Sequence, residues 1–127
     1  MIQRLSFWIM MIVCSVMVSG QEYDGYYTNP ILPSGADPWV VKHEGWYYYC
    51  CGVPGGIGVS RSRDLHKINP PVRVWKAPEK GQWNSTCIWA PELHFWKGKW
   101  YIFYAGGYSG PPFIHQKTGV LESVTSD

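Results

Sequence analysis

Two carboxylates stand out by their surroundings: Asp37 in Gly35-Ala36-Asp37-Pro38-Trp39, and Glu92 in Trp89-Ala90-Pro91-Glu92-Leu93-His94. An aspartate beside glycine and proline often closes its own backbone into a turn. The same placement, at the mouth of an apolar run, leaves its oxygens free to take a proton or hold a water. Other reactive residue types lack the company they need. The four histidines, His43, His66, His94 and His115, show no H-E-x-x-H or C-x-x-C arrangement, so no metal site is expected. Gly52 to Gly58 is glycine-rich but has neither the lysine nor the helix of a phosphate loop. Ser60 and Ser62 sit in no nucleophile-elbow pattern. Carboxylate chemistry remains, and it requires no cofactor.

The elements that would position these groups are short strands. Alternation and turn chemistry predict them at Trp39 to Lys42, Trp46 to Cys51, Ile57 to Ser62, Val72 to Trp75, Glu92 to Trp96, Trp100 to Ala105 and Gly119 to Val124. Trp46-Tyr47 returns as Trp100-Tyr101 and Gly58-Val59 as Gly119-Val120, with the excess length falling in the loop from Gly106 to Lys117. A repeat of about 50 residues built of short strands is the signature of propeller blades. In this alignment Asp37 and Glu92 hold equivalent positions, each at the start of the innermost strand of its blade. Tyr47, Tyr49, Tyr101 and Phe103 alternate with Trp46, Tyr48, Trp100 and Ile102. Strands apolar on both faces are sandwiched between neighbouring sheets, as stacked blades are. No amphipathic helix is expected past the N-terminal segment, so the fold class is all-β.

That segment has one basic residue, Arg4, then a run from Leu5 to Val18 that is apolar except for Ser6, Cys14 and Ser15. Small residues at Val18-Ser19-Gly20 complete a signal peptide over residues 1–20, which leaves a secreted, extracellular domain over 21–127. The run is shorter than the roughly 20 residues that span a bilayer, so a membrane anchor is the lesser reading. A net charge of +2 in 127 residues argues against a nucleic-acid partner, which would want a basic patch. Aromatic residues make up 17% of the chain and eight are Trp; in a secreted chain this excess suits the C–H faces of sugars, although most of these rings also serve as core bulk. Cys50, Cys51 and Cys87 are an odd set for an oxidising compartment. Adjacent strand residues face opposite ways, so only one of Cys50 and Cys51 could easily reach Cys87. Asn84-Ser85-Thr86 is a sequon that would accept an N-glycan.

Asn29-Pro30-Ile31-Leu32 leading to Ala36-Asp37-Pro38-Trp39-Val40, the unit Gly58-Val59-Ser60-Arg61-Ser62-Arg63-Asp64-Leu65, Ile88-Trp89-Ala90-Pro91-Glu92-Leu93-His94 followed by Gly98-Lys99-Trp100-Tyr101, and Gly119-Val120-Leu121-Glu122-Ser123 together resemble glycoside hydrolase family 43. The variants present look most like its secreted α-L-arabinofuranosidases, which trim arabinan or arabinoxylan. The resemblance implies a five-bladed β-propeller that hydrolyses furanosides or xylosides with inversion. Asp37 matches the general base, which activates a water lying between two carboxyl groups set roughly 6.5 to 9.5 Å apart. Trp89 and Glu92 match the pocket wall, Trp89 by stacking on the sugar and Glu92 by accepting hydroxyl protons; Trp39 joins them as a sugar-binding ring. A structural bond from Glu92 to backbone amides is the rival reading for that residue. In the family, the acid glutamate and the aspartate that tunes it come from later blades, and neither matches any residue up to Asp127. The expectation is therefore about two blades of a longer enzyme, inactive alone. The alternative is a short carbohydrate-binding protein, or a remnant, without catalysis.

Overall fold

The structure, a computed structural model, describes residues 29–125. Seven strands form two antiparallel sheets. The first contains β1 (Trp39–His43), β2 (Trp46–Val53), β3 (Gly56–Ser62) and β4 (Val72–Lys76) in that order. The second contains β5 (Thr86–Trp96), β6 (Lys99–Gly107) and β7 (Lys117–Glu122). Each is a meander, and β5 packs against β1 and β2. The all-β propeller expectation holds, with the described residues forming two successive blades, the second with three strands.

What joins the blades is an apolar layer. Cys50 and Ile57 from the first sheet meet Leu93, Ile102 and Tyr104 from the second, with Trp39, Val41, Tyr48, Trp75 and Trp100 around them. Rings interlock across the layer: Tyr48 with Trp100 at 4.8 Å, Trp75 with Tyr104 at 5.1 Å and His43 with Phe95 at 3.9 Å. Gly119 makes room for Tyr104, since a Cβ there would lie 2.6 Å from the Tyr104 ring. The Trp39 indole N–H donates to the Leu93 carbonyl at 2.8 Å, a bond from blade to blade.

Both inner hairpins close on two residues with positive φ, Glu44 (47°) and Gly45 (74°) in one, Lys97 (48°) and Gly98 (79°) in the other. Such turns match the twist of the strands they join. Superposing these turns sets the true repeat register. It pairs Glu44 with Lys97, Pro38 with Pro91, and Asp37 with Ala90; these last two are also left-handed, with φ of 49° and 45°. Matching Trp46 to Trp100 is one residue out of this register and would place equivalent residues on opposite faces. Glu92 therefore corresponds to Trp39, and the position equivalent to Asp37 is Ala90.

The strand bounds differ from those read in the sequence by at most two residues, except at the start of β5. β5 begins at Thr86 rather than Glu92, because two register shifts, Thr86 to Trp89 and Trp89 to Glu92, carry the strand through a segment with no alternation. Pro91 is tolerated within that irregular stretch. β7 ends at Glu122 rather than Val124, as Ser123 turns its amide and hydroxyl to Trp100. Residues 1–20, read as a signal peptide, lie outside the described residues.

The cysteines also resolve. Cys50, Cys51 and Cys87 are all free thiols. Cys50 is fully buried between the blades, where burial, with Cys51 beside it, pushes its thiol up to about 12. Cys87 instead donates to the Ser109 carbonyl at 3.4 Å. Asn84 is half-buried, with its amide donating to the Tyr104 hydroxyl at 2.7 Å. A glycan would have to be attached there before the chain folds.

Candidate active site

The site is built at the ends of β1 and β5 remote from their hairpin turns. Asp37 enters β1 through Pro38, exposed and in a left-handed conformation that costs a non-glycine residue energy. The residue before a proline is ordinarily driven to extended conformations, which makes this one a held geometry. Behind it, a Cβ on Gly35 would lie 3.7 Å from the Tyr49 hydroxyl. Tyr49 is buried, and desolvation, with Cys51 adding to it, raises its pKa, so the hydroxyl under this loop stays neutral. Among the described residues no side chain hydrogen-bonds or ion-pairs with the Asp37 carboxylate, which leaves both oxygens available to a water.

On β5, the two register shifts flank Trp89 and turn it outward, as bulges beside functional sites commonly do. Trp89 is 39% exposed, with its ring edge-on to Phe113 at 4.8 Å. Glu92 lies opposite Phe103 in the ladder, half-exposed, with its carboxylate 3.5 Å from His94 Nε2. His94 in turn packs 5.0 Å from the Trp39 ring and edge-on to Phe103 at 5.7 Å. The structure thus brings Trp39, His94 and Glu92 into one chain of contacts across the blade boundary.

Trp39, expected from the sequence to bind substrate, lies at the blade boundary. It is half-buried between blades and its N–H is committed to Leu93, so only its ring remains to meet a ligand. His94 was missed as a site residue. The signal was the spacing Glu92-Leu93-His94, which puts both polar side chains on one face of a strand.

The other carboxylates are placed elsewhere. Lys99 beside Glu122 holds its carboxyl below the usual range, and Tyr101 adds to this. Asp64 is also held low, chiefly by the backbone N–H of His66 and further by Lys67. A carboxyl held low keeps no proton to donate, so neither suits a general acid. A cleft of about 700 Å³ opens between β4 and β7, away from Asp37. Val59, Val74, Trp75, Ile102 and Leu121 line it, with Glu122, Ser123 and Thr125 along the β7 side. Among the described residues no group of three or more His, Cys, Asp or Glu could hold a metal ion.

Known proteins resemble the chain over the same region. α-L-Arabinofuranosidase 43 of Humicola insolens is 38% identical over 103 residues, which is 77% of this chain and 21% of that one. An extracellular exo-α-(1→5)-L-arabinofuranosidase of Streptomyces avermitilis is 37% identical over 86 residues, 64% of this chain and 18% of that one. The crystal structure of α-L-arabinofuranosidase from Lactobacillus brevis superposes with a TM-score of 0.71 at 32% identity, covering 80% of this chain and 34% of that one. A thermostable family-43 glycoside hydrolase superposes at 0.58 with 28% identity, covering 80% and 33%. The chain thus spans about a fifth of the curated relatives it matches and about a third of the solved ones. Residues 27–127 match the glycosyl hydrolases family 43, and the chain belongs to that family.

Proposed function

We propose that this chain supplies the first part of the active site of a secreted, inverting glycoside hydrolase acting on α-L-arabinofuranosides of plant cell-wall arabinan or arabinoxylan. Asp37 is the general base, Trp89 stacks on the sugar and Glu92 accepts hydroxyl hydrogen bonds. Trp39 contributes its ring at the blade boundary. One observation carries the reading: of the two left-handed residues that precede a proline at the same distance from a hairpin turn, Asp37 alone bears a carboxylate. By the family pattern the acid comes from a later blade, so turnover belongs to a chain carrying those blades. Secretion rests on the apolar segment over residues 1–20 and on the relatives described as extracellular.

The test expresses the protein with its full reading frame and assays p-nitrophenyl α-L-arabinofuranoside. A positioned acid–base group contributes about 10²- to 10⁴-fold, and Asp37→Asn should lower kcat by that order with KM little changed. Undiminished turnover in that variant would remove Asp37 from the mechanism. A reading frame that ends at Asp127, together with arabinose binding and no turnover, would favour the carbohydrate-binding alternative.

A further inference from the structure

The hairpin-turn end of the blades, opposite Asp37, carries chemistry that the candidate site does not use. Among the described residues every cation that lies over an aromatic ring is at this end: Lys42 over Tyr47 at 5.1 Å, Arg61 and Arg63 over Trp46 at 4.9 and 3.9 Å, and Lys97 over Trp96 at 4.3 Å. Trp46 alone is met by two cations. Arg61 stands opposite Tyr48 in the ladder and Arg63 lies two residues on, so alternation puts both side chains on the face that carries Trp46.

Backbone contacts hold the pair in place. Asn69 Nδ2 donates to the Arg61 carbonyl at 2.7 Å, and Arg63 Nη1 donates to the Glu44 carbonyl at 3.3 Å. Gly45 makes room for the second bond, since a Cβ there would fall 2.7 Å from Arg63 Nη1. Both arginines are exposed, and among the described residues neither has a carboxylate partner. The acids at this end are engaged elsewhere. Glu44 lies 3.8 Å from His43 Nε2, Asp64 lies 3.3 Å from His66 Nδ1 and 3.7 Å from Lys67 Nζ, and Glu122 pairs with Lys99. Two guanidiniums gathered over one ring thus face solvent with their charge uncompensated.

We infer that Arg61, Arg63 and Trp46 form a second binding site, separate from Asp37, which takes the carboxylates of a polyuronate, an acidic polysaccharide. A guanidinium laid on an indole keeps its N–H fork free to hold a carboxylate bidentately, and its preorganised plane loses little freedom in doing so. Carboxylates repeated along a sugar chain can engage both forks, whereas the arabinofuranosyl groups assigned to Asp37 carry none. Two arginines in a chain of net charge +2 fall short of the basic stripe that a nucleic acid would want. The choice of a polysaccharide among anions rests on the proposed function. The site lies at the far end of the blades from Asp37, so an acidic chain bound there anchors the protein and leaves the catalytic end open.

Calorimetric titration of the protein, expressed with its full reading frame, against polygalacturonate and against the same polymer fully methyl-esterified tests it. Wild type should bind the acid form, more weakly as ionic strength rises, and should not bind the neutral ester. Arg61→Gln with Arg63→Gln should weaken binding about three- to thirtyfold, the loss of two exposed ion pairs. Arg61→Gln alone, which leaves the Arg63 bond to the turn intact, should give part of that loss. Lys76→Gln with Lys80→Gln removes the same charge from exposed positions at the other end and should leave binding unchanged. Cooperative thermal melts establish that each variant is folded. No binding of polygalacturonate by wild type, equal binding of the ester, an unchanged affinity in Arg61→Gln, or equal losses in the arginine and lysine pairs overturns the site. Binding of polygalacturonate through the two arginines without turnover of p-nitrophenyl α-L-arabinofuranoside by wild type overturns the proposed function and leaves the anion site standing.

Discussion

A left-handed residue immediately before a proline occurs at Asp37-Pro38 and again, in the same register, at Ala90-Pro91. The backbone device is shared, and what distinguishes the first blade is the side chain mounted on it. The next residue along each strand shows the same divergence, with Trp39 in one blade corresponding to Glu92 in the other. Trp39 uses its nitrogen to tie its blade to Leu93, while Glu92 keeps its carboxylate beside His94. Trp39→Phe keeps the ring and removes the donor, leaving the Leu93 carbonyl without its indole partner. The expected cost is about 1 kcal/mol, read as a lower urea midpoint. Unchanged stability would mean that the bond is replaced by water and that the ring alone joins the blades.

At the scale of elements, the hairpins show what the sequence could reveal and what it could not. Glu44-Gly45 and Lys97-Gly98 are recognisable turn dipeptides, and the strand ends that meet at them lie within one residue of where the sequence puts them. The Trp-Tyr echo was the stronger textual match, yet it is one residue off, because identity of side chains carries no information about which face they occupy. Turn geometry does carry it, and the φ values of the two hairpins settle the register. The start of β5 was illegible for a related reason: two bulges and Pro91 erase the period-two signal that marks a strand. His94 was passed over because an isolated histidine carries no motif, and its partner Trp39 comes from another blade. Since Gly98 sits at φ 79° with nothing within 4 Å of a built Cβ, conformational strain alone should decide its substitution. Gly98→Ala is expected to cost about 1 kcal/mol, and Lys97→Asn to gain a few tenths, as asparagine suits the first turn position. Thermal melts of the two variants moving in the same direction would contradict this account of the hairpin.

For the whole molecule, the two blades differ in what their outward faces must meet. Across the blade boundary the sheets bury Cys50, Ile57, Leu93 and Ile102, so blade stacking accounts for most of the core. The far side of the second sheet leaves Trp96 at 59%, Val120 at 54% and Phe103 at 44% exposed. Register puts Phe103 opposite Val120, so the two form one apolar strip. Such a strip on a chain with a net charge of only +2 promotes association. Phe103→Thr keeps a strand-forming residue while removing the ring. In the 127-residue chain this substitution should reduce the concentration-dependent sedimentation coefficient and change the urea stability by less than about 0.5 kcal/mol, as for a surface site. A loss of about 3 kcal/mol or more, the cost of truncating a buried phenylalanine, would show instead that the strip is covered within the folded protein. The same variant therefore measures whether the second blade ends the structure in water or is packed against something further.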